Sequence, residues 1–105
     1  MKKCNLIVIF NEFAKYEFED AIGFYELEYS GLGERFKEEI RRAVGRIVEY
    51  PEAWPVKRKN IREYLVHKFP YKILYSIEYD HIYVIALAHR HRKPNYWIDR
   101  IFDEV

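Results

Sequence analysis

This sequence has almost nothing with which to staple itself together or to cross a membrane. A single cysteine, Cys4, stands among 105 residues, so an internal disulfide is excluded and nothing calls for an oxidising compartment. Four glycines are scattered along the chain without any Gly-x-Gly-x-x-Gly or phosphate-loop pattern, which removes the common glycine-rich nucleotide cradles. No apolar run approaches the ~20 residues that a membrane-spanning helix needs. Met1-Lys2-Lys3 ahead of Leu6 to Phe10 imitates a secretion signal. That apolar run is only five residues long, and Asn11-Glu12 ends it without a small-residue cleavage site, so it reads as a first strand. A cytoplasmic protein with no membrane partner is expected. Internal repeats and low-complexity tracts are also missing, and the formal net charge is only +1.

What is present is material for a core. Half of the residues are hydrophobic and 18 % are aromatic, with ten tyrosines and seven phenylalanines. One domain spanning residues 1–105 can bury such a core without metals, with tyrosine hydroxyls at its margins. The small net charge hides an asymmetry. Residues 1–52 carry 8 Lys/Arg against 11 Asp/Glu, and residues 53–105 carry 10 against 6. Between Val56 and Lys93 the count is 9 against 3, and all four histidines lie there. A polyanion reads a local patch rather than the total. The same count also arises when strands carry Lys and helices carry Glu.

Lys3 to Phe10 is β-branched in its middle and reads as a strand buried on both faces or nearly so. Asn11 is a plausible N-cap. Apolar residues then recur at Ala14, Phe18, Ala21, Tyr25 and Tyr29, with Ile22 alongside, which predicts an amphipathic helix over 12–29. Glu17, Glu19, Asp20, Glu26 and Glu28 are expected on its exposed side. Gly31 or Gly33 supplies a left-handed break. A second helix is expected over 34–49, with Phe36, Ile40, Ala43, Val44, Ile47 and Val48 inward and Glu38 paired with Arg42. Pro51 forces Tyr50 out of helical geometry.

Residues 51–60 form a connector in which Trp54 packs beneath the loop. Lys57-Arg58-Lys59 is either a solvated run or a nucleic-acid contact. Three strands follow, over 61–67, 71–79 and 82–90, with a two-residue hairpin loop at Asp80-His81. That loop sets Ile73 opposite Ala88, Tyr75 opposite Ala86 and Ile77 opposite Val84 on the helix-covered face. On the other face it sets Lys72 opposite His89. Asn95 caps a short amphipathic helix carrying Trp97, Ile98, Ile101 and Phe102, with Arg100 on its flank. The fold expected is α+β: a small twisted, mostly antiparallel sheet, made of the N-terminal strand at or near an edge plus a C-terminal three-stranded meander, packed against an N-terminal helical hairpin.

The chemistry gathers after the last strand. His89-x-His91 offers two imidazoles but no third ligand, and the neighbouring cations repel a metal, so neither metal nor cofactor is expected. Lys72, Arg90, Arg92 and Lys93 suit a phosphodiester. His89 or His91 and the Tyr96 phenol provide an acid and a base, the parts a metal-free ribonuclease needs. The alternative is that Tyr96 and Trp97 anchor the last helix while the arginines pair with glutamates.

Several motifs, spread over most of the chain, carry a family resemblance. They are Leu32-Gly33-x-x-Phe36, Pro51 after the second helix, Ile61-Arg62, Phe69-Pro-Tyr71-x-x-x-Tyr75, and His89-x-x-Arg92-x-Pro94-x-Tyr96-Trp97-x-x-Arg100. In this order they resemble the RelE/ParE superfamily, the plasmid-stabilisation-type toxins of type II toxin–antitoxin systems. The resemblance implies a toxin silenced by a cognate antitoxin. RelE-like members cleave mRNA on the ribosome, whereas ParE-like members inhibit DNA gyrase, and a decayed member binds only its antitoxin. For RelE-like cleavage the resemblance and the residue chemistry point to Lys72, His89, Arg90, Arg92 and Tyr96. Lys57, Arg58, Lys59, Arg62 and Lys93 are the expected nucleic-acid contacts.

Overall fold

The computed structural model describes residues 6–102. The elements run β1 (Ile7–Phe10), α1 (Glu12–Glu28), α2 (Leu32–Glu49), β2 (Val56–Arg58), β3 (Ile61–Leu65), β4 (Tyr71–Ile77), β5 (His81–His89) and α3 (Ile98–Phe102). The five strands form one sheet in the order β1-β5-β4-β3-β2, with β1 parallel to β5 and every other pair antiparallel. This is the α+β architecture that the sequence predicts, with the α1–α2 hairpin on one face.

The hairpin is set by local chemistry. Asn11 Oδ1 accepts the Phe13 N–H at 2.8 Å and opens α1. Gly31 turns the chain with φ 91°, a conformation that costs a Cβ-bearing residue heavily. Gly33 is different: it lies in the first turn of α2, where an added Cβ would sit 2.7 Å from the Ile22 carbonyl oxygen. Gly31 has no side chain with which to cap α2, so α1 supplies the cap. The Glu26 carboxylate accepts the N–H groups of Gly31 (2.9 Å) and Gly33 (3.0 Å), placing negative charge at the positive end of α2. Glu26 therefore does more than decorate the surface. The expected Glu38–Arg42 pair is not made. Glu38 pairs with Arg41 at 3.0 Å, and Arg42 reaches the buried Glu39 at 3.4 Å.

The core lies between hairpin and sheet. Ala14 and Ala21 of α1 and Phe36, Ile40, Ala43 and Ile47 of α2 meet Tyr64, Val66, Ile73, Tyr75, Ile82, Val84 and Leu87 of the sheet. Phe36 is its hub, with Tyr25, Phe69 and Tyr71 rings each centred 5.1 Å away. Full burial of a large side chain of this kind contributes about 1.5–3 kcal/mol. A second cluster, made of Ile61, Leu74, Ile85, Ala86 and Trp97, occupies the opposite face, where Ile98 and Ile101 pack against it. Trp54 packs on Tyr64 beneath the connector, with ring centres 4.7 Å apart.

Several expectations fail for identifiable reasons. Strand β1 is not buried on both faces: Ile7 is 60 % and Ile9 41 % exposed. As an edge strand it packs only Val8 and Phe10 against the core. The expected Lys3–Asn5 part of that strand, Cys4, and the end of the last helix at 103–105 lie outside the described residues. Tyr29, expected in the α1 stripe, is 70 % exposed beyond the helix end. The connector contributes β2, so the antiparallel meander has four strands rather than three. Three exposed residues give too short a pattern to read as a strand.

The β4–β5 register also differs. The Glu78 N–H donates to the His81 carbonyl at 2.8 Å, and the ladder begins at Ile77 opposite Ile82, with residues 78–81 between. Tyr75 faces Val84, then Ile85 is extra, and Leu74 faces Ala86. This bulge puts both Ile85 and Ala86 in the second cluster. The four-residue connection sets Ile77 opposite Ile82 instead of Val84 and Tyr75 opposite Val84 instead of Ala86, and past the bulge Ile73 meets Leu87 instead of Ala88 and Lys72 lies opposite Ala88 instead of His89.

Two outcomes are expected in urea unfolding. Gly33→Ala loses about 1–3 kcal/mol, because backbone and the capping Glu26 block the new methyl. Gly45→Ala, in open space on α2, gains up to about 1 kcal/mol. A third concerns pH. Burial pushes the Tyr75 hydroxyl, which donates to the Pro51 carbonyl at 2.6 Å, up to about 12. An unfolded tyrosine ionises near ~10. The stability tied to this group is therefore full below that value and falls as pH rises toward 12. Tyr75→Phe shallows this alkaline loss in a pH series of unfolding midpoints.

Candidate functional site

Strand β5 outruns its neighbour. The β1 ladder ends at Phe10 opposite Val84, and the Asn11 N–H closes on the Val84 carbonyl at 2.8 Å before α1 begins. From Ile85 onward that edge of β5 has no strand beside it, although its backbone groups are buried and need partners. Side chains supply them. The Glu17 Oε1 accepts the Leu87 N–H at 3.0 Å, and the Arg100 Nη1 donates to the Ile85 carbonyl at 2.9 Å. The two side chains also bind each other through paired contacts of 2.8 and 3.1 Å. The Tyr96 hydroxyl donates to Glu17 Oε2 at 2.6 Å. Only 12 % of the Arg100 side chain and 18 % of Glu17 reach solvent.

The electrostatics follow. Burial raises the Tyr96 hydroxyl far above its ordinary value, and its bond to the Glu17 carboxylate raises it further. Burial pulls Arg100 down, but the Glu17 bond and charge outweigh it, so its pKa is raised. Arg92 stacks its guanidinium 3.9 Å above the Tyr96 ring. Tyr96 is thus a phenol held protonated and committed to one acceptor.

The sequence reading placed Glu17 toward solvent and Arg100 on a flank, and missed that they meet. A signal existed for Glu17: it stands three residues after Ala14 and four before Ala21, on the edge of the inward stripe.

The other expected site residues are dispersed. Tyr71 is directly opposite His89, their rings 5.5 Å apart on the helix-covered face. Lys72, next in the strand, points to the other face. His89 and His91 lie with ring centres 5.2 Å apart. Arg90 follows the strand, its N–H on the Pro70 carbonyl at 2.8 Å and its guanidinium 3.4 Å from the Val66 carbonyl. Arg62 clamps the connector by donating to the carbonyls of Trp54 (2.6 Å) and Glu52 (3.2 Å). Arg58 and Lys93 are exposed, and Lys59 sits at the β2–β3 tip with φ 51°. One groove of about 440 Å³ does collect two cations: Lys57 and Arg90 line it with Trp54, Glu63, Leu65 and His67. Lys57 lies 3.6 Å from Glu63 there. Among the described residues, no group of three or more His, Cys, Asp or Glu side chains is placed to hold a metal ion. No helix among them is long and apolar enough to cross a membrane.

The fold has a counterpart among solved structures. The chain resembles one described as the chromosomal ParDE toxin–antitoxin system from P. aeruginosa, with a TM-score of 0.59 at 9 % identity over 80 % of this chain and 95 % of that one. At that identity the likeness concerns the fold. No curated protein sequence matches the chain. A family model does: residues 8–94 match the ParE toxin of the type II toxin–antitoxin system parDE. The chain belongs to this family, within the RelE/ParE superfamily.

Removing Glu17 leaves a largely buried guanidinium without its partner. Glu17→Ala is expected to cost about 3 kcal/mol in urea unfolding. It is also expected to raise amide exchange at Leu87, whose N–H loses its acceptor, measured by native-state hydrogen exchange.

Proposed function

We propose that this chain is the toxin of a cytoplasmic toxin–antitoxin pair and acts as a ParE-like inhibitor of DNA gyrase, through protein contacts rather than phosphodiester cleavage. The observation carrying this reading is the dispersal of the candidate catalytic groups. Metal-free cleavage at a 2′-hydroxyl requires a base, an acid and a cation around one phosphate. Here Lys72 and His89 project from opposite faces of the sheet. The phenol that would serve as acid is bonded to Glu17, with its proton held more tightly than usual. Membership in the ParE toxin family supports the same choice. Its partners on this reading are a cognate antitoxin and gyrase, and it needs no cofactor.

RelE-like, ribosome-dependent cleavage by Lys72, His89, Arg90, Arg92 and Tyr96 is the competing reading. What favours it is the surface cluster of Arg90, His91, Arg92 and Lys93. Induction of the isolated chain in a bacterial cell, with mRNA ends mapped beside a DNA-damage reporter, separates the two. Reporter induction with intact mRNA is expected. Codon-phased cuts without a damage response would establish cleavage instead, and unimpaired growth would mean a chain that only binds its antitoxin.

A further inference from the structure

A cavity of about 480 Å³ lies where α2 meets the β3–β4 turn, with Arg35 and Glu39 of the helix and Lys68 of the turn in its lining. Its size is that of a small-molecule site. Its apolar part is Leu32 and Phe69, both half-buried. Phe69 is held in place against Phe36, with ring centres 5.1 Å apart. None of the lining residues belongs to the groups weighed above for phosphodiester chemistry or nucleic-acid contact. Occupancy of this cavity therefore does not depend on how the chain inhibits growth.

Two polar features set the cavity apart from an ordinary helix surface. The first is Glu39, only 4 % exposed. A buried carboxylate ordinarily fills its acceptor positions. Glu39 has one contact, 3.4 Å from the Arg42 guanidinium to Oε1, and nothing among the described residues donates to Oε2. The second is Lys68, which takes φ 72°. Glycine or asparagine holds that left-handed conformation at lower cost than lysine. The turn around it is closed by the Val66 N–H on the Tyr71 carbonyl at 2.9 Å. A lysine kept there against its backbone preference marks a place where its ammonium has a use.

Charge and hydrogen bonding together select the ligand. Glu38 is taken by Arg41, and Arg42 by Glu39. Arg35 and Lys68 remain in the lining, and neither meets a carboxylate among the described residues. Two cations beside apolar side chains suit a phosphate carried on a flat body. The open acceptor on Glu39 calls for N–H donors on that body. Guanine offers two neighbouring donors, N1–H and the N2 amino group, and one carboxylate accepts both. Adenine and cytosine set a lone pair beside their amino group, and uracil sets carbonyl oxygens beside its N–H, so each of them repels a carboxylate. We infer that this cavity binds a guanine nucleotide. Its base lies on Leu32 and Phe69 with N1–H and N2 on Glu39, and its phosphate lies on Arg35 and Lys68.

The test is titration calorimetry of the full chain with GMP, AMP and inorganic phosphate. GMP is expected to bind, with AMP and phosphate each at least about tenfold weaker, as hydrogen-bond selection requires. Glu39→Gln is expected to abolish the preference for GMP over AMP. Lys68→Gly is expected to weaken GMP at least about tenfold while unfolding at higher urea concentration, since glycine accepts the left-handed turn, so its lost binding cannot come from misfolding. Lys15→Ala, which removes an exposed cation of α1, should bind GMP as the unaltered chain does. Equal binding of AMP and GMP, phosphate binding as tightly as GMP, a Glu39→Gln chain that still prefers GMP, or no binding at all would overturn the assignment. So would a hexaglutamate peptide that binds more tightly than GMP, since an acidic protein segment would then be the occupant.

Discussion

The interaction on which the far side of this fold depends is the Glu17–Arg100 pair. Strand β1 stops at Phe10, β5 continues to His89, and the exposed edge between them is completed by a carboxylate and a guanidinium instead of a strand. Each partner makes one bond to β5 and two to the other. The bulged Ile85 is thereby fixed, and with it the face on which each later residue of β5 lies. Glu17 arises on the hairpin and Arg100 on α3, so this pair also joins the two layers that enclose the sheet. A charge pair this far from solvent brings positional specificity more than net stability.

That constraint has a functional consequence. Tyr96 and Arg92 occupy the places where the family resemblance expects phosphate chemistry, yet one is bonded to Glu17 and the other is stacked on it. The bulge separates His89 from Lys72 by the thickness of the sheet. Cations remain at the surface around Arg90 and Lys57, but the groove they share also holds Glu63. The geometry favours a surface read by proteins.

Much of the fold was legible because its signals are local. The 3.6-residue stripes, Asn11, Gly31 and Pro51 placed both helices within about two residues, and alternation in β4 identified its helix-facing side. The failures came from nonlocal or very short features. A four-residue connection in place of a two-residue loop, followed by one inserted residue at Ile85, shifts every β4–β5 pair, and no turn chemistry at Asp80-His81 announces either. Three exposed residues at Val56–Arg58 carry no period. Glu17 was read by residue type, since carboxylates usually face water, whereas its position at the margin of the stripe already pointed inward. The candidate site suffered most, because a cluster contiguous in sequence, His89 to Lys93, spreads over two faces and a turn once folded.

The most direct measurement is a supercoiling assay with purified gyrase and the purified chain, run beside RNA cleavage on programmed ribosomes. The account predicts that gyrase is inhibited and RNA stays intact. It also predicts that Lys72→Ala and His89→Ala change inhibition by no more than about threefold, well under the ~100-fold loss typical of removing a catalytic acid or base. RNA cut on the ribosome, abolished by either substitution, with gyrase unaffected, would contradict it.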